Sequence, residues 1–183
     1  MSMKKWVSGM TFITFWMYNH HMFLDLPLLL ETRRNHAVEH ATLHILARKF
    51  KNQSMGGHSN PTGFYLMGSF NKDDIQVAAD EAMRRIRAGE KELAIHPGCG
   101  TNMAASTLLP ATFAFVPIQQ ARSNFWRFLL IPFAVALGVF GYFLSKPLGP
   151  WLQRNVTTEA DLGDMRIVDI IHVRKGLHRV ITK

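Results

Sequence analysis

The chain has 183 residues and a formal net charge of +8, with 48% hydrophobic and only 19% charged residues. This composition excludes a disordered tail, and the length fits one modest domain, alone or joined to a membrane element. A single cysteine excludes an intrachain disulfide framework and a zinc site built from cysteines alone. The basic residues form no compact cluster, and no nucleic-acid-binding module is present. We therefore expect no nucleic-acid partner.

The N-terminal segment, residues 1–31, is largely apolar from Trp6 to Leu30. Two lysines precede the apolar run, as in a signal peptide, but no small-residue cleavage site follows it. Polar residues interrupt the run, and Pro27 is expected to end one helical piece. The pattern predicts an interfacial helix that lies in the membrane surface.

Residues 32–102 have the composition of a soluble domain and form the predicted metal-binding domain. Apolar spacing predicts one helix at 32–50 and another at 74–89, which Gly89 would end. A short strand is expected at 63–70, and the glycine-rich run at 56–61 is expected to be a loop.

Residues 103–148 contain two apolar runs, 103–118 and 128–144, joined by a polar turn at 119–124. The second run carries no charge, and each falls slightly short of the roughly 20 residues that cross a bilayer. We interpret them as a transmembrane hairpin of two helices; the alternative is a buried hairpin in a soluble core. Aromatic residues typical of a membrane interface favour the first interpretation: Trp126, Tyr142 and Trp151.

The C-terminal tail, residues 149–183, ends in an alternating pattern with a turn at 174–176, which predicts a β-hairpin. His172 and His178 are expected to be surface or cross-strand residues of this hairpin. The segments together predict an α+β membrane protein: a small helix-rich cytoplasmic domain with a short strand, a two-helix membrane hairpin and a β-hairpin-like tail. The basic residues of the domain favour the cytoplasmic side of the cell (inner) membrane, with the lipid bilayer as partner.

The strongest local motif is H-x-x-E-H, formed by His36, Glu39 and His40. Histidines four residues apart lie on one face of a helix and are close enough to hold one metal ion. Glu39 stands where its carboxylate could act on a water at that metal. His44 continues the same face. The alternative is that these residues are simply the polar face of an amphipathic helix.

A second motif, H-P-x-C-G-T at 96–101, contains the only cysteine, Cys99, in a loop that proline and glycine make tight. Thiolate and imidazole are preferred ligands of zinc. The alternative is a turn at the entry to the membrane, with Cys99 as a small apolar residue. The expected cofactor is a divalent metal, zinc first, and the predicted ligands are His36, His40, Cys99 and His96. Weaker candidates are His58 and Glu81.

The two motifs, in this order, resemble the YqhQ-like family of bacterial membrane proteins, and residues 149–159 resemble the sequence that follows its membrane region. The resemblance covers roughly residues 35–159. The family is labelled as predicted metal-dependent enzymes, so the resemblance implies such an enzyme here, without supplying a substrate. Its matched positions are His36, Glu39, His40, His96 and Cys99. Gly98 in place of a basic residue, a shorter membrane region and a hairpin tail indicate a divergent relative.

Two classes of function follow from these motifs. A metal site with one open position predicts zinc-dependent hydrolysis of an amide or ester, with Glu39 as general base. A site closed by two histidines, Cys99 and His96 would be structural instead. The competing class is a non-enzymatic subunit of a membrane complex, with other membrane-protein subunits as partners and haem or a pigment as cofactor.

Overall fold

The computed structural model describes residues 23–183, so most of the predicted interfacial helix lies outside the described residues. Residues 23–24 are helical and 25–26 form a turn, which places a helix break just before Pro27. Helix α1 then spans Pro27–Lys49. Proline suits the first helical position because its missing N–H has no intrahelical acceptor there.

Strand β1 (Gly56–Asn60) pairs antiparallel with β2 (Gly63–Met67). The expectation of a loop at 56–61 is therefore wrong for most of its length. The sequence of β1, GGHSN, has almost no intrinsic strand preference, so its conformation depends on pairing with β2 rather than on its own residues. Helix α2 (Lys72–Arg87) follows, and a short 3₁₀ turn, Lys91–Ala94, comes after it.

The C-terminal hairpin is confirmed as β3 (Ile167–Arg174) and β4 (Leu177–Thr182). His172 lies opposite His178 across these strands, as expected. Strand β4 also pairs with β2, so all four strands form one antiparallel sheet in the order β1-β2-β4-β3. Helices α1 and α2 pack against this sheet. The residues at the centre of the core have no exposed surface: Val38, Phe64, Leu66, Ile75 and Val180.

Helices α3 (Gly100–Gln119) and α4 (Asn124–Leu152) form an antiparallel hairpin, and a π-helical turn, Gln153–Thr157, continues α4. Glycines let the two helices approach closely. A Cβ on Gly141 would lie 3.0 Å from Pro110 Cα, and one on Gly149 would lie 2.8 Å from Asn102 Oδ1. The hairpin predicted from the two apolar runs is therefore present as a packed unit.

Within residues 23–183, one helix, Asn124–Thr157, is long and apolar enough to cross a membrane. Only 17% of its most apolar stretch is buried within the protein. The sequence prediction of two such helices thus holds, by length and composition, for α4 and not for α3. Large apolar side chains on both helices are more than half exposed, among them Leu108, Phe115, Phe128, Phe133, Phe140 and Phe143.

Candidate metal centre

The motif of α1 and the loop before α3 meet at one point in the fold. One ligand atom each from His36, His40 and Cys99 lies within 4.8 Å of the other two. Helix α1 presents both histidines on one face, and Cys99 is the N-cap residue of α3. The structure therefore brings together three of the four predicted ligands in a group that could bind a metal ion.

The ring of His36 is fixed by the end of the helical hairpin. Its Nδ1 lies 2.8 Å from the carbonyl oxygen of Thr157. Because a carbonyl only accepts hydrogen bonds, Nδ1 must carry the proton, and Nε2 keeps its lone pair in the neutral ring. Nε2 lies 3.5 Å from Cys99 Sγ. His36 thus points its lone-pair nitrogen at the thiol.

The ring of His40 is fixed in the same way. Its Nδ1 donates to the carbonyl oxygen of Ala94 at 2.7 Å. The fully buried Gln153, with its amide oxygen toward the ring, also accepts from Nδ1 at 2.8 Å. Nε2 again keeps the lone pair. Histidines that bind metals usually donate their second N–H to a carbonyl or carboxylate in this manner.

Cys99 is buried, and its sulfur accepts a hydrogen bond from the backbone N–H of Thr101 at 3.4 Å. Burial raises the pKa of this thiol, but hydrogen bonds with His36, His40 and Thr101 outweigh that effect and lower it to about 5. Burial also lowers the pKa of His36, and the bonds to Cys99 and Thr157 more than reverse this. The proton between Cys99 Sγ and His36 Nε2 therefore resides on the imidazole, and a metal ion that displaced this proton would meet the thiolate, the form that binds metals.

Glu39 lies between these ligands and the sheet. It is 3% exposed, and its carboxylate accepts a hydrogen bond from Ser59 Oγ at 2.5 Å. Burial raises the pKa of Glu39 more than Ser59 and the two histidines lower it. A carboxyl with a raised pKa beside candidate ligands is a suitable proton carrier.

Gly57 on β1 makes room for that carboxylate. A Cβ at this position would overlap Glu39 Oε1 and lie 2.7 Å from Glu39 Cγ. A Cβ on the neighbouring Gly56 would make only an ordinary 3.5 Å contact with Met67 Cε. Gly57 alone therefore explains how β1 can run directly over the side chain of Glu39.

His96 lies beside the three-ligand group without belonging to it. Its ring centre is 5.7 Å from that of His40 and 4.8 Å from that of His44, and its Nδ1 accepts from the Gly98 N–H at 3.1 Å. Burial, followed by the charges of His44 and His40, lowers the pKa of His96 to about 4. His96 is therefore neutral, and its role as a fourth ligand stays a prediction.

The weaker candidates are placed elsewhere. Nε2 of His44 lies 2.8 Å from the carbonyl oxygen of Ile95. His58 is exposed at the wall of the adjacent cavity. Glu81 lies on α2 and forms ion pairs with Arg84 and Arg85 at the surface. None of the three belongs to the group formed by His36, His40 and Cys99.

A cavity of about 640 Å³ opens beside the three ligands and Glu39. Its size is that of pockets that bind small molecules. The lining is mostly apolar, with side chains from the start of the described chain, from α1, from the open end of the β1–β2 hairpin and from the π-helical turn. These apolar residues are Phe23, Leu24, Leu29, Leu43, Met55, Met67 and Val156.

The supporting residues were not identified from the sequence. Thr157 and Gln153 lie within residues 149–159, which resemble the sequence that follows the membrane region of the YqhQ-like family. This resemblance indicates the segment but gives neither residue a role. Gly57 and Ser59 lay in the expected loop. Their contacts with Glu39 depend on the pairing of β1 with β2, which no local pattern shows.

We expect Gly57→Ala to destabilise the protein by about 1–3 kcal/mol, because the new methyl group overpacks against Glu39. Gly56→Ala is the matched control and should change the free energy of unfolding by less than about 0.5 kcal/mol. Thermal or urea unfolding measures both. In a Glu39→Ala background the penalty of Gly57→Ala should largely disappear. Equal effects of the two alanine variants would contradict this account.

Comparison with known proteins gives a family and no function. A family model described as "Domain of unknown function (DUF6391)" matches residues 31–170. An uncharacterised protein of Picosynechococcus sp. is 32% identical over 148 residues, covering 73% of this chain and 69% of that protein. No solved structure matches. An uncharacterised family agrees with the resemblance described above, while membership of the YqhQ-like family itself stays a prediction. The chain belongs to the family of domains of unknown function DUF6391.

Proposed function

We propose that this protein is a membrane-bound, metal-dependent hydrolase with a zinc ion held by His36, His40 and Cys99. One observation carries the proposal: the three ligand atoms lie within 4.8 Å of one another, with both imidazoles fixed by backbone carbonyls. The lone pairs of both histidines are thereby left for a ligand.

The distance between Cys99 and His36 suits zinc. Zinc–sulfur and zinc–nitrogen bonds at a tetrahedral angle separate the two ligand atoms by about 3.6 Å. Cys99 Sγ and His36 Nε2 are 3.5 Å apart. Three protein ligands leave a fourth tetrahedral position, as in catalytic zinc sites. Because the ligands line the cavity, that position is open to a small molecule.

The chemistry that fits this arrangement is hydrolysis of an ester or amide. Zinc with an open position supplies Lewis acidity and acidifies water. Glu39 is the general base: its carboxyl lines the cavity and is held by Ser59. It takes the proton from the attacking water and passes it to the leaving oxygen or nitrogen. The carbonyl carbon gains the hydroxyl oxygen, and its bond to the leaving group breaks.

The exposed apolar surface of the hairpin supports a membrane location. Trp126 and Trp151 lie 25 positions apart on α4, which is about 38 Å along a helix. This separation approximates the distance between the two interfacial regions of a bilayer. Cys99 and Thr157 adjoin the end of the hairpin marked by Trp151. The proposed site therefore lies at one membrane surface, and the cytoplasmic side remains the expectation.

A second candidate function is hydrolysis by a cysteine nucleophile. Cys99 lies at a helix N-terminus, His36 faces its sulfur at 3.5 Å, and Thr157 orients that imidazole. Thiolate, base and orienting acceptor form the arrangement that activates a nucleophile. The two functions differ in whether activity requires a metal.

Purified wild-type protein is expected to contain one zinc per chain. His36→Ala, His40→Ala and Cys99→Ala should each lower zinc occupancy at least tenfold, because two ligands do not complete the site. His172→Ala, in the β3–β4 hairpin, is the matched control and should keep its zinc. Elemental analysis measures occupancy. Wild-type zinc in all three variants would refute the site, and activity that survives chelation would favour the cysteine nucleophile.

Glu39→Gln is expected to keep zinc and lose about 10²–10⁴-fold in kcat, since glutamine can accept the Ser59 hydrogen bond but cannot accept a proton. The assay follows the hydrolysis of p-nitrophenyl butyrate. The rate of hydrolysis by zinc ions in the absence of protein is subtracted. Glu81→Gln, on the surface of α2, is the control and should leave kcat unchanged. A Glu39→Gln variant that is fully active would remove the general base from the mechanism.

The full chain should remain in the membrane fraction after extraction with alkaline carbonate. Val139→Arg places a charge on the exposed surface of α4 and should release at least part of the protein, since it costs about 3 kcal/mol at a helix centre. Val77→Arg on α2 is the control, because Val77 is also an exposed valine. Complete extraction of the wild type by carbonate would contradict the membrane assignment.

A further inference from the structure

We infer that the substrate carries a long acyl chain, which occupies the apolar part of the cavity while its ester or amide carbonyl lies at the metal centre. The inference rests on the proposed function and adds the class of substrate. It starts from the lining of the cavity, where seven apolar side chains lie in the same cavity as the candidate metal ligands and Glu39.

The one Arg in the wall does not offer a free charge to a polar substrate. Arg33 is 8% exposed, and its guanidinium forms an ion pair with Glu159 at 3.2 Å. It also donates to the carbonyl oxygen of Thr158 at 3.2 Å. Its Nε alone has no hydrogen-bond partner within the described part of the chain. Because the charge of Arg33 is compensated within the protein, the apolar side chains of the lining are suited to hydrocarbon.

The exposed part of the cavity lining carries two large apolar side chains. Phe23 and Met67 line the cavity and are nevertheless 60% and 45% exposed. The first residue of α3, Gly100, and the last residue of the π-helical turn, Thr157, lie at the same end of the hairpin, and both line the cavity. A chain that leaves the bilayer beside this end of the hairpin therefore finds exposed apolar side chains at the cavity that holds the candidate metal ligands. A peptide substrate would leave its backbone polar groups against these walls without partners.

The test uses alkyl hydroxamates, whose head group binds zinc, so that affinity is measured without any need for turnover. The probes are acetohydroxamate and dodecanohydroxamate, titrated into zinc-loaded full-length protein in lipid nanodiscs. In the wild type the longer probe should bind at least tenfold more tightly, because each buried methylene adds favourable transfer free energy. Dodecanohydroxamate also partitions into the lipid of the nanodisc, and this partition contributes to the difference in affinity between the two probes. A matched pair of variants is therefore required.

The variants are Leu29→Trp and Leu28→Trp, at neighbouring positions of α1. Leu29 lines the cavity, whereas Leu28 is 72% exposed and does not line it. Leu29→Trp should lower the ratio of the affinities for dodecanohydroxamate and acetohydroxamate at least tenfold. It should leave the affinity for acetohydroxamate itself unchanged. Leu28→Trp should behave as wild type, and lipid partition affects both variants equally.

A chain-length gain that is equal in Leu29→Trp, Leu28→Trp and the wild type would overturn the inference, as would the absence of any gain. If acetohydroxamate binds in either case, the proposed metal centre stands and only the acyl-chain assignment fails. If the wild-type protein takes up no zinc, the proposed function fails and this inference fails with it. A loss confined to Leu29→Trp supports both.

Discussion

Two backbone carbonyls determine what the histidines of α1 can do. The oxygens of Thr157 and Ala94 each accept from an Nδ1–H, so that the opposite nitrogen of each ring keeps its lone pair. Without these acceptors, His36 and His40 would be two polar residues on a helix, free to rotate and to change tautomer. The carbonyls come from positions 121 and 54 residues away in the chain, so the chemistry of a local motif is set by tertiary structure.

The site lies where two kinds of packing meet. On one side, α1 and α2 bury an ordinary apolar core against the sheet, and Gly57 and Ser59 bring β1 against Glu39. On the other side, α3 and α4 pack through small residues and leave large apolar side chains exposed. Cys99 and Thr157 stand at the boundary, each adjoining an end of the helical hairpin. Neither part of the molecule holds all the elements of the site by itself.

The sequence predicted those features that rest on local patterns. The helices, the C-terminal hairpin and the placing of His36 and His40 on one helix face follow from periodicity, turn residues and motif spacing. That Cys99 would join them was a hypothesis from the ligand chemistry of the two motifs, because no local pattern brings residues 63 positions apart together. Strand β1 was missed because it has no strand preference of its own, and with it the contacts of Gly57 and Ser59. The supports given by Gln153 and Thr157 were missed because hydrogen bonds between distant segments leave no periodic trace. The membrane assignment rests on the apolar composition of α4 and on the exposed apolar surface of the hairpin.

The close glycine contacts of α4 have a consequence for tolerance to insertions. Gly141 lies against Pro110 and Gly149 against Asn102, and these contacts fix the axial alignment of the two helices. One extra residue at the end of α4, between Gly149 and Leu152, would turn the following backbone by about 100° and move it by about 1.5 Å. The carbonyl that orients His36 would then face another direction. The length of this segment therefore matters for the arrangement of His36, His40 and Cys99 as much as the identity of these three residues does.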